Sequence, residues 1–335
     1  MDRKAFYQLL SRGTLPSVLL FEGDDEYSKN AAYHALRSAL LPAGLEDLNE
    51  TLLDAPDTDT IIAAAETMPL MTDRRLVIIR DHPALSGRTE IDESLLQYLP
   101  GAPASSLLLF YCTQKPDGRK KQYTAIKKEN GIVTFSPLKD NELTSFVTEQ
   151  FHKAGKECDE RTADYLIFIS GTDTNLLARE VQKIASYHPD VPQVHPDDVR
   201  ILATPSLESS VFQMVDAVVA NQQARAFSLL RSQLLNGQDR VFILAMLLRQ
   251  FRLLQQIKIL QYEKKSREVL LSSLGVPSFA AEQYIRQAAS YTGGQVKQAV
   301  RLCFETEYAI KSGRLNAEGA LEAVILKLLT LKNSN

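Results

Sequence analysis

Ser17-Val18-Leu19-Leu20-Phe21-Glu22-Gly23-Asp24-Asp25-Glu26-Tyr27-Ser28-Lys29-Asn30 reads as a short apolar strand, a glycine turn and the acidic start of a helix. That order opens a doubly wound α/β domain, whose first turn is the usual nucleotide site because free N–H groups at a helix start collect phosphate oxygens. A phosphate loop of the form G-x-x-x-x-G-K-[ST] needs glycines to wrap the phosphates, a lysine to neutralise them and a hydroxyl for magnesium. Here one glycine stands, no Lys-Ser/Thr pair follows, and Asp24, Asp25 and Glu26 occupy the place of the phosphates. Like charges there repel a triphosphate in any partly desolvated site. The same carboxylates suit a helix N-terminus, where capping and the helix dipole make each favourable by about 0.3–1 kcal/mol. The turn is therefore expected to bind no nucleotide, and the chain to use no cofactor.

Outward from this turn the pattern repeats. Apolar runs at Glu50–Leu53, Leu76–Ile79, Leu107–Tyr111 and Ile132–Phe135 alternate with helical patterns near 26–41, 57–67, 90–99 and 119–129. Short continuous runs rich in Val, Ile, Leu and Phe are what strands buried on both faces of a parallel sheet look like. Arg80-Asp81-His82 after the third run offers no paired acids for magnesium, and Asp81 reads as a loop cap. After Pro137 the strand signal ends. Helices are expected over 140–154, 159–170, 173–187 and 196–203, with His188 and His195 in His-Pro-Asp triplets that suit loops and helix starts. Thr204-Pro205 reads as a linker. From Ser206 onward everything reads as helix, and Val241–Leu248 is apolar all round, so neighbours must enclose it. The expected organisation is an α/β domain (1–139), a small helical domain (140–205) and an all-α domain (206–335).

Composition bounds the function. Of 335 residues, 44% are hydrophobic and 24% charged, an ordinary globular balance that excludes disorder and fibres. The longest apolar run, eight residues, is far below the roughly 20 needed to cross a bilayer. No secretory pattern follows Met1, and Cys112, Cys158 and Cys303 show no C-x-x-C spacing. A cytoplasmic protein without membrane association, disulfides or a zinc site is the expectation. Residues 1–140 carry a net charge of −4, residues 141–205 carry −5 and residues 206–335 carry +6. Basic helix faces or different partners at the two ends both account for this asymmetry. No Ser-His-Asp, Cys-His or H-E-x-x-H pattern is present, which points to a scaffold or interaction subunit rather than an enzyme.

Four pieces, in this order and spacing, carry a resemblance: Leu19–Glu26, Ala65-Glu66-Thr67-Met68-Pro69-Leu70-Met71-Thr72-Asp73-Arg74-Arg75 running into Leu76–Arg80, Leu274–Phe279, and Glu305-Thr306-Glu307-Tyr308-Ala309-Ile310-Lys311-Ser312-Gly313. Together with the missing phosphate loop, they make the chain resemble the delta subunit of the bacterial DNA polymerase III clamp loader over essentially its full length. The resemblance implies an AAA+-like α/β domain, a helical lid and a helical collar. It also implies a subunit that binds the sliding clamp (the beta subunit) and holds one interface open. Sibling subunits of gamma/tau and delta-prime type would accompany it, and primer–template DNA would enter within the complex. The siblings' four-cysteine zinc module and Ser-Arg-Cys triplet are absent here. Polymerase chemistry would belong to the holoenzyme and not to this chain.

The family's clamp-contacting element maps onto Leu70 and Met71, with Met68 and Pro69 completing an apolar tip bounded by Thr72, Asp73 and Arg74. Read by themselves these four residues are better explained as buried packing; the resemblance makes them a clamp contact. Met71 departs from the aromatic residue frequent in relatives. Arg119, Lys120, Lys121, Lys127 and Lys128, with Tyr123 among them, suit phosphate neutralisation without sequence reading, or a solvated basic helix. An active ATPase motor of the same superfamily and a stand-alone DNA-binding protein are the alternative functions.

Overall fold

The computed structural model describes residues 1–85, 92–187, 189–274 and 278–333. His188 and Gly275-Val276-Pro277 of the sequence motifs lie outside the described residues. The chain divides into two compact units, Met1–Leu138 and Lys139–Asn335.

The first unit runs α1 (Arg3–Arg12), β1 (Val18–Glu22), α2 (Glu26–Leu40), α3 (Glu46–Asn49), β2 (Glu50–Asp54), α4 (Thr58–Glu66), β3 (Arg75–Arg80), α5 (Glu93–Tyr98), β4 (Ser106–Tyr111), α6 (Lys121–Lys128) and β5 (Ile132–Thr134). All five strands are parallel in the order β2-β3-β4-β1-β5, with Leu20 level with Phe110 on one side and Ile132 on the other. The two-residue alternation of strands sorts their side chains onto two faces. Leu19, Phe21, Ile78 and Leu109 pack under α1 and α2, while Leu20, Val77, Ile79 and Phe110 pack under α4, α5 and α6. This is the α/β architecture expected from the alternating runs. One expectation needs correction. β2 is not buried on both faces: it is the sheet edge, and its Leu52 is half exposed because only β3 flanks it. Two helices were not foreseen. The short α1 is marked by Asp2, whose carboxylate accepts from Ala5 N–H, and by Gly13, left-handed at φ 67°.

The second unit is helical. Its first part comprises α7 (Asp140–Lys153), α8 (Glu160–Ser170), α9 (Thr174–Tyr187) and α10 (Pro196–Leu202). Pro196 opens α10, and Asp198 reaches back to accept from His195 N–H. The rest comprises α11 (Leu207–Val219), α12 (Gln223–Leu235), α13 (Arg240–Tyr262), α14 (Arg267–Ser273), α15 (Ser278–Ala289), α16 (Gly293–Lys311) and α17 (Ala320–Asn333). α13 is the central rod, packed on α11, α15 and α16, with Ile243, Leu244, Leu247 and Leu248 buried. The 204–206 connection is pinned: Thr204 N–H donates to Glu180, Ser170 donates to Thr204 O, and Ser206 N–H donates to Ile169 O. Phe168 meets Phe212 edge to face at 5.1 Å across that connection.

Inside the bundle Gln287 donates to Asp216 Oδ1 at 2.7 Å and to Phe212 O at 3.1 Å, and Gln250 donates to Gln287 Oε1. Burial pushes the Asp216 carboxyl above its ordinary range, against the Gln287 hydrogen bond. An acid raised on folding favours the fold below its unfolded pKa and loses that contribution as pH rises through the folded value. Asp216→Asn keeps the acceptor and removes the buried charge. Thermal melts of this variant should show a Tm higher by roughly 2 °C at pH 8, with the gain shrinking towards pH 4. A variant less stable at pH 8 would contradict the burial cost.

Candidate functional site

At the C-terminal edge of the sheet, β1 and β4 are neighbours whose crossovers leave in opposite directions, the crevice where this class of fold places ligands. The Gly23 turn fills it with protein. Gly23 has φ 110°, and a Cβ there would lie 2.2 Å from Phe135 O, so only glycine fits. Phe135 N–H donates to Glu22 O and Asp25 N–H to Phe135 O. Asp25 caps α2, taking Ser28 N–H on one oxygen and the Ser28 hydroxyl on the other. Glu26 N–H and Lys29 N–H are held by Asp24 O and Asp25 O. These helix-start donors are engaged by the chain itself.

Lys29 lies six residues after Gly23, in the register of a phosphate-loop lysine. The sequence reading passed over it because the flanking glycine and hydroxyl residue are replaced by Ser28 and Asn30; the spacing from Gly23 was the available signal. Its side chain is fully buried. Nζ donates to Cys112 O at 2.7 Å, pairs with Glu26 at 2.5 Å and stands 5.3 Å from the Tyr111 ring centre. Tyr111 donates to the other Glu26 oxygen at 3.1 Å. The lysine is thus neutralised by a carboxylate three residues before it and ties α2 to the end of β4. Burial pushes the Cys112 thiol up to about 12, which makes it inert at neutral pH. Both Asp81 oxygens are taken by Thr113.

The apolar tip lies at the opposite edge, in the loop between α4 and β3. Its side chains are outside the core: Met68 is 72%, Leu70 54% and Met71 86% exposed, and Pro69 is half-buried. The packing alternative for these four residues does not describe Met68, Leu70 and Met71. The loop that carries them is anchored. Arg75 donates to Thr67 O and Thr51, and Arg74 donates to Ala104 O, Leu15 O and Ser17. Met71 takes the left-handed region at φ 59°, uncommon for a residue with a Cβ. It also walls a cavity of ≈ 500 Å³ with Leu10, Leu15, Leu40 and Pro42.

The basic residues are only partly brought together. Arg119 is engaged by Asp117 through two hydrogen bonds, and Lys121 lies 3.5 Å from Glu93. Lys120 occupies the N-cap position of α6 without a side-chain capping bond and is half-buried. Lys127 and Lys128 project from its last turn, about 10 Å along the helix axis, where cations complement the helix dipole. Tyr123 donates to Glu22 rather than facing outward alone. Among the described residues no group of acidic, histidine or cysteine side chains is arranged to hold a metal, and no helix is long and apolar enough to cross a membrane.

Lys29→Ala removes a fully buried side chain, leaving a void and Cys112 O without its donor, while the part-exposed Glu26 regains water. It is expected to lower stability by about 3 kcal/mol in urea unfolding of the whole chain. A loss under about 1 kcal/mol would mean the lysine is no structural tie.

Two family models, "DNA polymerase III, delta subunit" and "DNA polymerase III delta subunit, C-terminal domain", match residues 19–136 and 208–328. The chain is 24% identical to the DNA polymerase III subunit delta of Bacillus subtilis over 98% of its own length and 97% of that relative. It is 23% identical to the Escherichia coli subunit delta, over 90% of its length and 88% of that relative. The solved structure of a Bacillus subtilis DNA clamp loader delta protein superposes with a TM-score of 0.56 at 23% identity, covering 98% of this chain and 99% of that one. Matched from the Gly23 turn to the final helix, the chain belongs to the DNA polymerase III delta-subunit family, a clamp-loader component, and shares the fold of the Bacillus subtilis protein, a parallel α/β unit followed by a largely helical C-terminal part.

Proposed function

We propose that this chain is the non-catalytic wrench of a bacterial clamp loader in the cytoplasm: it binds the sliding clamp through Leu70 and Met71, flanked by Met68 and Pro69, and holds one clamp interface open. The observation that carries this is the tip itself, with large apolar side chains held in solvent on an anchored loop. A few apolar anchors entering a partner's pocket supply most of the affinity of a small interface, and flexible, polarisable methionine suits a groove. Opening follows from differential affinity. A bound subunit moves the ring from closed to open only as far as it prefers the open form, and a shift from 1:99 to 99:1 needs a preference of about 10⁴-fold.

The filled Gly23 turn supports a passive role in nucleotide chemistry. With Asp25 and Phe135 O on the helix-start donors and Glu26 on Lys29, ATP binding and hydrolysis fall to gamma/tau and delta-prime type siblings. In this reading the helices of 140–205 act as the lid and those of 206–335 as the collar that meets the siblings. Lys127 and Lys128, with Arg119, Lys120 and Lys121 nearer the start of α6, contribute to primer–template contact inside the assembly. That contact rests on charge alone and is weakened where Asp117 and Glu93 compensate Arg119 and Lys121.

Calorimetry against purified sliding clamp should show binding by the wild type and a loss of at least a hundredfold in the Leu70→Ala/Met71→Ala variant, with Tm unchanged because both side chains are exposed. Undiminished affinity would remove the tip from the interface. Equilibrium dialysis with ATP and magnesium should show no uptake by the isolated chain; stoichiometric uptake would restore the motor reading.

A further inference from the structure

We infer that Asn49 is the positioning residue of the tip: its buried amide fixes the backbone of Leu70, so that the anchor is presented in one conformation before any partner arrives. The inference rests on the clamp-binding reading of Leu70 and deepens it. Asn49 ends α3, immediately before the edge strand β2, and none of its surface reaches solvent. Its Oδ1 accepts Leu70 N–H at 2.7 Å, while Nδ2 donates to Leu70 O at 2.9 Å and to Leu45 O at 3.0 Å. One side chain therefore holds both backbone polar groups of a residue 21 positions away. Paired in this way, an amide imitates a strand neighbour for a single residue and leaves the residue's own side chain free to point outward.

The neighbouring contacts place this grip at the centre of the loop. Anchors lie on either side, with Arg75 on Thr67 O before the tip and Arg74 on Leu15 O and Ala104 O after it. Only Asn49 grips the middle among the hydrogen bonds of the described residues. Directly after Leu70 the backbone turns through the left-handed conformation at Met71, a state sparsely populated in free chains that persists where neighbours over-determine it. An apolar residue in place of Asn49 would strand Leu70 N–H and O without partners and release the turn. The consequence for binding is arithmetic. When the competent conformation falls to a fraction of the population, apparent affinity falls by the same fraction.

The test compares full-length wild type, Asn49→Ala, Asn49→Asp, Leu70→Ala and Asn49→Ala/Leu70→Ala against purified sliding clamp by calorimetry, with amide exchange read at Leu70. In the wild type without clamp, Leu70 N–H should exchange at least a hundredfold more slowly than the exposed loop amides. Loop-like exchange there overturns the inference without any variant having to fold. Asn49→Ala and the near-isosteric Asn49→Asp, which loses both donors, should each weaken clamp binding at least tenfold while circular dichroism stays native. In the double variant Asn49→Ala should cost less than it does alone, because one of the two anchors it orders is already gone; fully additive losses would point to a general structural role and overturn the inference. Clamp affinity within twofold of wild type in Asn49→Ala and Asn49→Asp, with Leu70→Ala impaired, likewise overturns it and leaves the tip reading standing. Wild-type affinity in Leu70→Ala would instead overturn the tip reading and this inference with it.

Discussion

A parallel sheet has to be covered on both faces, and the first unit is organised by that requirement. Leu19 and Phe21 face α1 and α2, and Leu20 with Val18 faces the helices on the other side, so each helix crossover is fixed by which alternate residues it must bury. With both faces used for packing, only the edges of the sheet are left for chemistry. The C-terminal edge ends in the Gly23 turn, and the N-terminal edge carries the loop before β3 with Met68, Leu70 and Met71. The division of labour in the molecule follows from this geometry: one edge is closed, and the other meets the solvent.

At the closed edge, residues in the register of a phosphate loop serve as structure. Gly23 is retained because Phe135 O passes where a Cβ would be, a reason that has nothing to do with phosphate. Lys29 keeps its register, but its charge is taken by Glu26 and its remaining direction by Cys112 O, which binds α2 to β4 as a phosphate would bind neither. The bond from Lys29 to Cys112 O is charge-assisted and buried, which makes it strong. It is retained only while each partner is present, so the turn has lost the freedom to exchange ligands that a nucleotide site requires.

How much of this could be seen in the sequence depended on range. Strands and helices whose signals are local, such as Leu76–Ile79 or the capped helix after Asp25, fell within a residue or two of their observed ends. β2 was misjudged because Glu50-Thr51-Leu52-Leu53 contains as many apolar residues as an inner strand needs, and only the strand order makes it an edge. α3 has four residues and no side-chain cap, and α1 is marked only by Asp2 and Gly13, single residues that compete with ordinary turns. Within the candidate site, the exposed character of Met68, Leu70 and Met71 was open, since apolar residues before a strand pack as readily as they protrude. Lys29 bonding to Cys112 and Asn49 bonding to Leu70 span 83 and 21 residues. No periodicity reports such pairs; they exist only once the sheet brings its loops together.

An exposed apolar tip is normally a liability, because solvent-facing methionine and leucine invite non-specific association. What separates a recognition element from a sticky patch is definition of shape. A floppy loop would fold its apolar side chains onto whatever hydrophobic surface lies within reach. The observed loop resists this with part-buried hydrogen bonds from Asn49 to the Leu70 backbone and guanidinium anchors at its shoulders. Those contacts lie below the surface that a partner would touch. In the proposed clamp-binding role, such rigidity serves recognition twice: it lowers the ordering entropy lost on binding, and it limits the shapes the tip can match, so that a partner with a pocket of the right form is preferred over any greasy surface.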